Sequence, residues 1–189
     1  MLNILSFPAL AEDNKVLVVP IENTIEKGLE SFVERAIEKA EQEKIPYILF
    51  KIDTPGGRID AAVEIANKIS KTRVKCLALI EARAISAGSL LALSCDQIAM
   101  QKAATFGDAE PYIGDEFAGE KILSDWRGKL EAAAETKGRD PKIAAAFADR
   151  DIVIDGVIEE NKLLTLTPEK ALELGMIDFI VENQDDLAF

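Results

Sequence analysis

The spacing of apolar residues along this chain switches repeatedly between the two periods of regular structure. Lys15-Val-Leu-Val-Val-Pro20 is a β-branched run that suits a buried parallel strand. Leu29, Phe32, Val33, Ala36, Ile37 and Ala40 follow at helical spacing, so a helix is expected near 25–43, closed before Pro46. A second strand is predicted over Tyr47–Ile52. Ile59, Ala62, Val63, Ala66 and Ile69 then give a helix near 58–71. Val74–Ile80 reads as a third strand. The small-residue segment Ser86–Ser94 can form a buried helix, and Gln97–Met100 a short strand. Three βα units in succession predict an α/β fold of parallel strands with right-handed crossovers.

Beyond Met100 the pattern changes. Residues 103–119 hold Gly107, Pro111 and Gly114, lack a period, and read as an irregular loop over a site. Helices are expected over Lys121–Lys137, with Gly138 as its C-cap, and over Pro141–Ala148. Thr167 can cap a further helix, with Pro168 at its first position and Gly175 beyond its end. Ile177–Val181 reads as the last strand. No repeat or linker interrupts the chain, so 15–189 is expected to be one domain.

Composition narrows the chemistry. The 189 residues are 48% hydrophobic, enough for one substantial core, and the net charge is −12 without any basic run. Nucleic acid is therefore not an expected partner. There is no histidine, which excludes Ser-His-Asp and Cys-His hydrolases and metal sites that need imidazole. Cys76 and Cys95 lie in apolar runs and read as buried free thiols, with a disulfide between them left open. No run of 18 apolar residues is present. Residues 1–14 read as a leader or signal remnant, because Ala9-Leu10-Ala11 has the small-x-small form of a cleavage site.

Two segments can carry a reaction. Asp53-Thr-Pro-Gly-Gly57 lies between the second strand and second helix, where ligands of open parallel sheets bind. Its adjacent glycines leave backbone N–H groups bare at a helix start, suited to an oxyanion or phosphate. It matches neither a P-loop nor a dinucleotide fingerprint, and an ordinary Pro-Gly turn is the plainer reading. Ala84-Ile-Ser-Ala-Gly88 follows the third strand. It presents Ser86 on a tight strand-to-helix turn, with the Ala87 N–H as an oxyanion donor. The plainer reading is a serine N-cap; Ser89 and Ser94 are weaker nucleophiles. A serine opposite bare amides is the layout of acyl transfer. Without histidine its base must be a carboxylate or a neutral, desolvated lysine, and composition does not choose among the lysines.

The run Ile52-Asp-Thr-Pro-Gly-Gly-Arg58, then Arg83-Ala-Ile-Ser-Ala-Gly88, Leu91-Ala-Leu93 and Asp96-Gln-Ile-Ala-Met100, resembles the protease domain of NfeD proteins. These are membrane-associated serine peptidases of the Clp protease class, related to signal peptide peptidase A. Gly138-Arg-Asp and Leu163-Leu-Thr-Leu-Thr167, with Glu169, Ala171 and Gly175, fit the same family, and the resemblance runs from about 15 to about 182. It implies a Clp protease/crotonase-like βα superhelix and a Ser-Lys dyad of Ser86 and Lys121. It places the oxyanion amides at Gly57 and Ala87, and substrate contacts at Gly56, Gly57 and Ile85. It implies no cofactor or metal, a homo-oligomer, and peptide or protein substrates in apolar segments, stomatin-like ones among them. It also implies membrane association through other domains or a partner, on an extracytoplasmic face.

Rivals remain. Asp108, Glu110, Asp115, Glu116 and Glu120 precede Lys121, and acidic surroundings stabilise an ammonium. That favours a catalytically silent peptide-binding or assembly module of the same fold. An acyl-CoA enzyme of the crotonase type also uses paired backbone amides, but the acidic balance opposes binding of CoA phosphates.

Overall fold

The computed structural model describes residues 15–187; the leader expected over 1–14 lies outside them. Strands β1 (Val16–Ile25), β2 (Tyr47–Gly57), β3 (Lys75–Ile85) and β4 (Gln97–Gln101) alternate with helices α1 (Lys27–Gln42), α2 (Ile59–Lys71) and α3 (Ala87–Leu93). The first four strands pair in parallel in chain order. The expected α/β architecture is therefore present.

The side-chain alternation of the central strands explains the layers. Ile48, Phe50 and Ile52 of β2, with Cys76, Ala78 and Ile80 of β3, join the main core. There they meet Val33, Ile37 and Ala40 of α1, and Ala62, Ile65 and Ile69 of α2. Leu49, Leu77 and Leu79 point to the other face, where they pack with Ala99, Val181 and Leu187.

Three strand boundaries differ from the sequence reading. β1 runs on past Pro20 to Ile25 because Ile21 and Ile25 are fully buried. β2 continues through the Asp53–Gly57 segment, which is strand and not a connecting loop. β3 continues past Ile80 to Ile85 because its polar residues pair across the strands: Glu81 with Lys51 at 2.9 Å, and Arg83 with Asp53 at 3.1 Å. This length lets β3 pair with β4 through Leu77–Ile80, and then with β5 (Thr105–Gly107) through Arg83–Ile85. The sheet thereby branches from β4 to β5 at the end of β3 that leads to Ser86.

Residues 103–119 are not uniformly irregular. Besides β5 they form a hairpin of β6 (Tyr112–Ile113) and β7 (Glu116–Phe117). Helices α4 (Glu120–Thr136) and α5 (Pro141–Ala146) follow. Next come β8 (Thr165–Leu166), antiparallel to β5, and α6 (Pro168–Glu173). β9 (Phe179–Val181) then adds in parallel to β4. Thr167 caps α6 as expected, accepting from the Lys170 N–H, and Gly138 and Gly175 take the left-handed conformation after α4 and α6.

Candidate active site

Ser86 stands between β3 and α3 with φ 56° and ψ −124°. A non-glycine residue there is strained, at a cost of about 1–3 kcal/mol. Its surroundings fix it. The Ser86 N–H donates to Gly107 O at 3.1 Å and to Asp108 O at 3.0 Å, and all seven residues of α3 are buried. The hydroxyl does not cap the helix, and it makes no hydrogen bond among the described residues. The two neighbouring serines differ. Ser89 Oγ contacts Ala84 O and Gly107 O, both at 2.9 Å, and Ser94 Oγ donates to Leu90 O at 2.7 Å. The plain N-cap reading of Ser86 therefore fails on geometry.

The glycine segment reaches the same point. A Cβ placed on Gly56 would lie 2.5 Å from Ser86 Cβ, 2.9 Å from Ser86 Oγ and 3.1 Å from Ile85 O. Only glycine lets β2 come so close to the serine, and Gly56 also has φ 109°. Gly57 lies against the Ile25 backbone, where a Cβ would clash. Two amides of the turn are committed: Gly56 N–H donates to Thr54 Oγ1 at 3.0 Å, and Arg58 N–H to Ile25 O at 2.9 Å. Between them lies the Gly57 N–H. Ala87 is buried at the first position of α3, where an amide has no intrahelical acceptor. Ser86, Ile85, Gly56, Gly57 and Ala87 are thus gathered at adjoining ends of β2, β3 and α3.

Lys121 is placed differently. It lies in the first turn of α4, exposed, and its side chain makes no hydrogen bond or ion pair among the described residues. Of the acidic residues ahead of it, Glu110 is neutralised by Arg150, with Nε–Oε1 2.9 Å and Nη2–Oε2 2.7 Å. α4 is nevertheless tied to the serine loop. Buried Trp126 donates its indole N–H to Ala109 O at 2.7 Å, one residue beyond the Asp108 carbonyl that holds Ser86. Arg127 of α4 is ion-paired with buried Asp149.

Apolar side chains stand exposed just before Lys121. Tyr112, Ile113 and Phe117 of the β6–β7 hairpin are 53%, 60% and 59% exposed. The Tyr112 and Phe117 rings are 4.9 Å apart, and the Arg150 guanidinium lies 5.1 Å from the Phe117 ring centre. The hairpin was missed in the sequence, although Gly114-Asp115 between Tyr112-Ile113 and Glu116-Phe117 is a two-residue turn signal.

Cys76 and Cys95 are both buried and free. Burial pushes the Cys76 thiol up to about 12 and raises Cys95 as well, so neither is a thiolate nucleophile. No group of three or more Asp, Glu, Cys or His among the described residues is arranged to hold a metal ion.

Comparison with known proteins gives the family and the fold. The family model described as NfeD1b, N-terminal domain, matches residues 15–188. The chain is 36% identical over 181 residues to the membrane protein NfeD1b of Bacillus subtilis, covering 95% of this chain and 41% of that protein. It is 30% identical over 192 residues to the membrane-bound protease PH1510 of Pyrococcus horikoshii, covering 97% and 41%. This chain therefore spans about two fifths of those relatives' length. Among solved structures, a variant of the 1510-N membrane-bound stomatin-specific protease in complex with a substrate peptide superposes with a TM-score of 0.82. Its identity is 28%, and the match covers 94% of this chain and 80% of that one. ClpP1 from Listeria monocytogenes, 18% identical, shares the fold with a TM-score of 0.71 over 90% and 94% of the two chains.

Proposed function

The chain belongs to the NfeD1b N-terminal-domain family, and from that membership we propose that it is the peptidase domain of a Ser-Lys serine endopeptidase. One observation carries the reading: a serine in a left-handed junction, its hydroxyl uncommitted, pressed against a glycine strand. Strain at a half-buried serine with an uncommitted hydroxyl has a use in acyl transfer and none in helix capping.

In this reading the Ser86 Oγ attacks a peptide carbonyl while neutral Lys121 takes its proton. The N–H groups of Gly57 and Ala87 stabilise the oxyanion, and Gly56, Gly57 and Ile85 seat the substrate backbone. The C–N bond then breaks as Lys121 returns the proton to the leaving amine, and water releases the acyl group by the reverse relay. Each oxyanion donor is worth about 10²–10³ in rate. No metal or organic cofactor enters the scheme.

The substrates we assign are apolar segments of membrane-linked proteins. Support comes from the exposed Tyr112, Ile113 and Phe117, which precede Lys121 in the chain, and from the peptide-bound, stomatin-specific relative. The same relatives are membrane proteins, while no helix among the described residues is long and apolar enough to cross a membrane. Attachment on an extracytoplasmic face would come through a partner or other domains. Exposed Lys121 needs water excluded before it can act as a base, which substrate or a second copy in a homo-oligomer would supply.

That exposure also favours the second reading, a peptide-binding module without catalysis. Cleavage of an apolar peptide, followed by mass spectrometry, separates the two. Ser86→Ala and Lys121→Met should each abolish cleavage with the fold intact. Cleavage retained by Ser86→Ala would overturn the peptidase reading, and binding without cleavage would establish the module.

A further inference from the structure

Thr54 is fully buried in β2, two residues before Gly56. Its hydroxyl has two short partners. It donates to Asn23 O at 2.5 Å and accepts from the Gly56 N–H at 3.0 Å. Its methyl has a third: a Cβ placed on Gly88 of α3 would lie 2.5 Å from Thr54 Cγ2. One side chain therefore touches three separate parts of the site. Asn23 belongs to a break in β1, where the register with β2 shifts between Glu22 and Thr24 and Asn23 takes φ 62°. Gly56 abuts Ser86, and Gly88 lies two residues beyond it.

We propose that Thr54 is a positioning residue of the acyl-transfer site, setting the glycine strand against the serine helix; this rests on the Ser86 reading above. The hydroxyl acts in two ways. By holding the Gly56 N–H it withdraws that amide from the substrate, so that Gly57 is the donor this turn offers. By pinning Gly56 to the β1 break, it fixes how near the strand stands to Ser86. The methyl packs against Gly88 of α3 and fills the space there, without setting the chemistry. A shift of about 1 Å in such a constellation costs about 10²-fold in rate, so a group that never touches substrate can govern the chemistry.

Valine and serine divide the two halves of threonine. Thr54→Val keeps the methyl and shape but removes the hydroxyl that the Gly56 N–H and Asn23 O share. Thr54→Ser keeps the hydroxyl. Thr54→Cys, with only a weak thiol donor, serves if valine prevents folding. The readout is labelling of Ser86 by a fluorophosphonate, resolved into kinact and KI, beside the thermal midpoint. We expect Thr54→Val to lose about 10–100-fold in kinact with KI within about twofold, and Thr54→Ser to stay within about threefold of wild type. The Thr54→Cys rate should fall below that of Thr54→Ser. A folded Thr54→Val, or Thr54→Cys in its place, that labels like Thr54→Ser would overturn the role of Thr54 alone. Absence of labelling in the wild type would overturn the Ser86 reading and any catalytic positioning with it.

Discussion

At the scale of the residue, the strain at Ser86 makes a prediction that does not depend on substrate. A serine at φ 56°, ψ −124° pays a conformational cost that alanine shares and glycine avoids. Ser86→Gly should therefore be more stable than Ser86→Ala by about 1 kcal/mol or more, although glycine usually destabilises through the unfolded chain. Urea titration of the two variants checks this, and an Ala variant at least as stable would deny the strain. Ser86 was legible in the sequence because small neighbours marked a tight turn. Thr54 was not, since the Asp-Thr-Pro-Gly-Gly run shows that glycines come together but not that the hydroxyl ahead of them turns inward to hold one of them. Lys121 could be reached only through family resemblance, because an exposed lysine at a helix start has no pattern of its own.

At the scale of the element, α4 is the piece that carries Lys121, and Trp126 is its link to Ser86. The indole N–H meets Ala109 O, while the adjoining residues Gly107 and Asp108 accept from Ser86. Trp126→Phe keeps most of the buried ring and leaves Ala109 O without that donor. A stability loss of about 1–3 kcal/mol is expected, together with slower Ser86 labelling at a temperature where the variant is fully folded. Full labelling speed in the folded variant would show that α4 does not act through this loop. Apolar periodicity found α1, α2 and α4 to within one or two residues, because each buries one continuous stripe. It stopped β2 and β3 too early. There the strand continues through glycines and cross-strand ion pairs, which hydrophobicity does not register. The β6–β7 hairpin escaped for a related reason: its apolar residues face outward, so no core pattern frames them.

At the scale of the whole molecule, polar staples join the layers on which the site is built. Buried Arg139, after α4, donates to Met176 O at 3.1 Å and Cys95 O at 3.2 Å, and pairs with Asp178. Beside it, Asp96 accepts from Lys137 Nζ at 2.7 Å and from the Cys76 N–H at 2.9 Å. Burial opposes the Asp96 charge, but these donors outweigh it and hold its carboxyl below the ordinary value. A carboxyl depressed in the folded state contributes stability above its unfolded value, near 4. That contribution is lost as pH falls through the lower folded value. Asp96→Asn should therefore lower the urea midpoint at pH 7, and the gap from wild type should narrow by about pH 3. A gap unchanged between those pH values would remove Asp96 from the acid response. The α/β class and its parallel order were legible from alternating periods. The turn of β3 from β4 onto β5 was not, since it depends on which partners meet one long strand.

The central claim is that Ser86 is a nucleophile served by Lys121, and the most direct measurement is fluorophosphonate labelling from pH 6 to 10 with the adduct mapped by mass spectrometry. The account predicts one adduct, on Ser86, forming faster as pH rises and lost in both Ser86→Ala and Lys121→Ala. A folded protein that takes no label at any pH, or labels equally without Lys121, would contradict it.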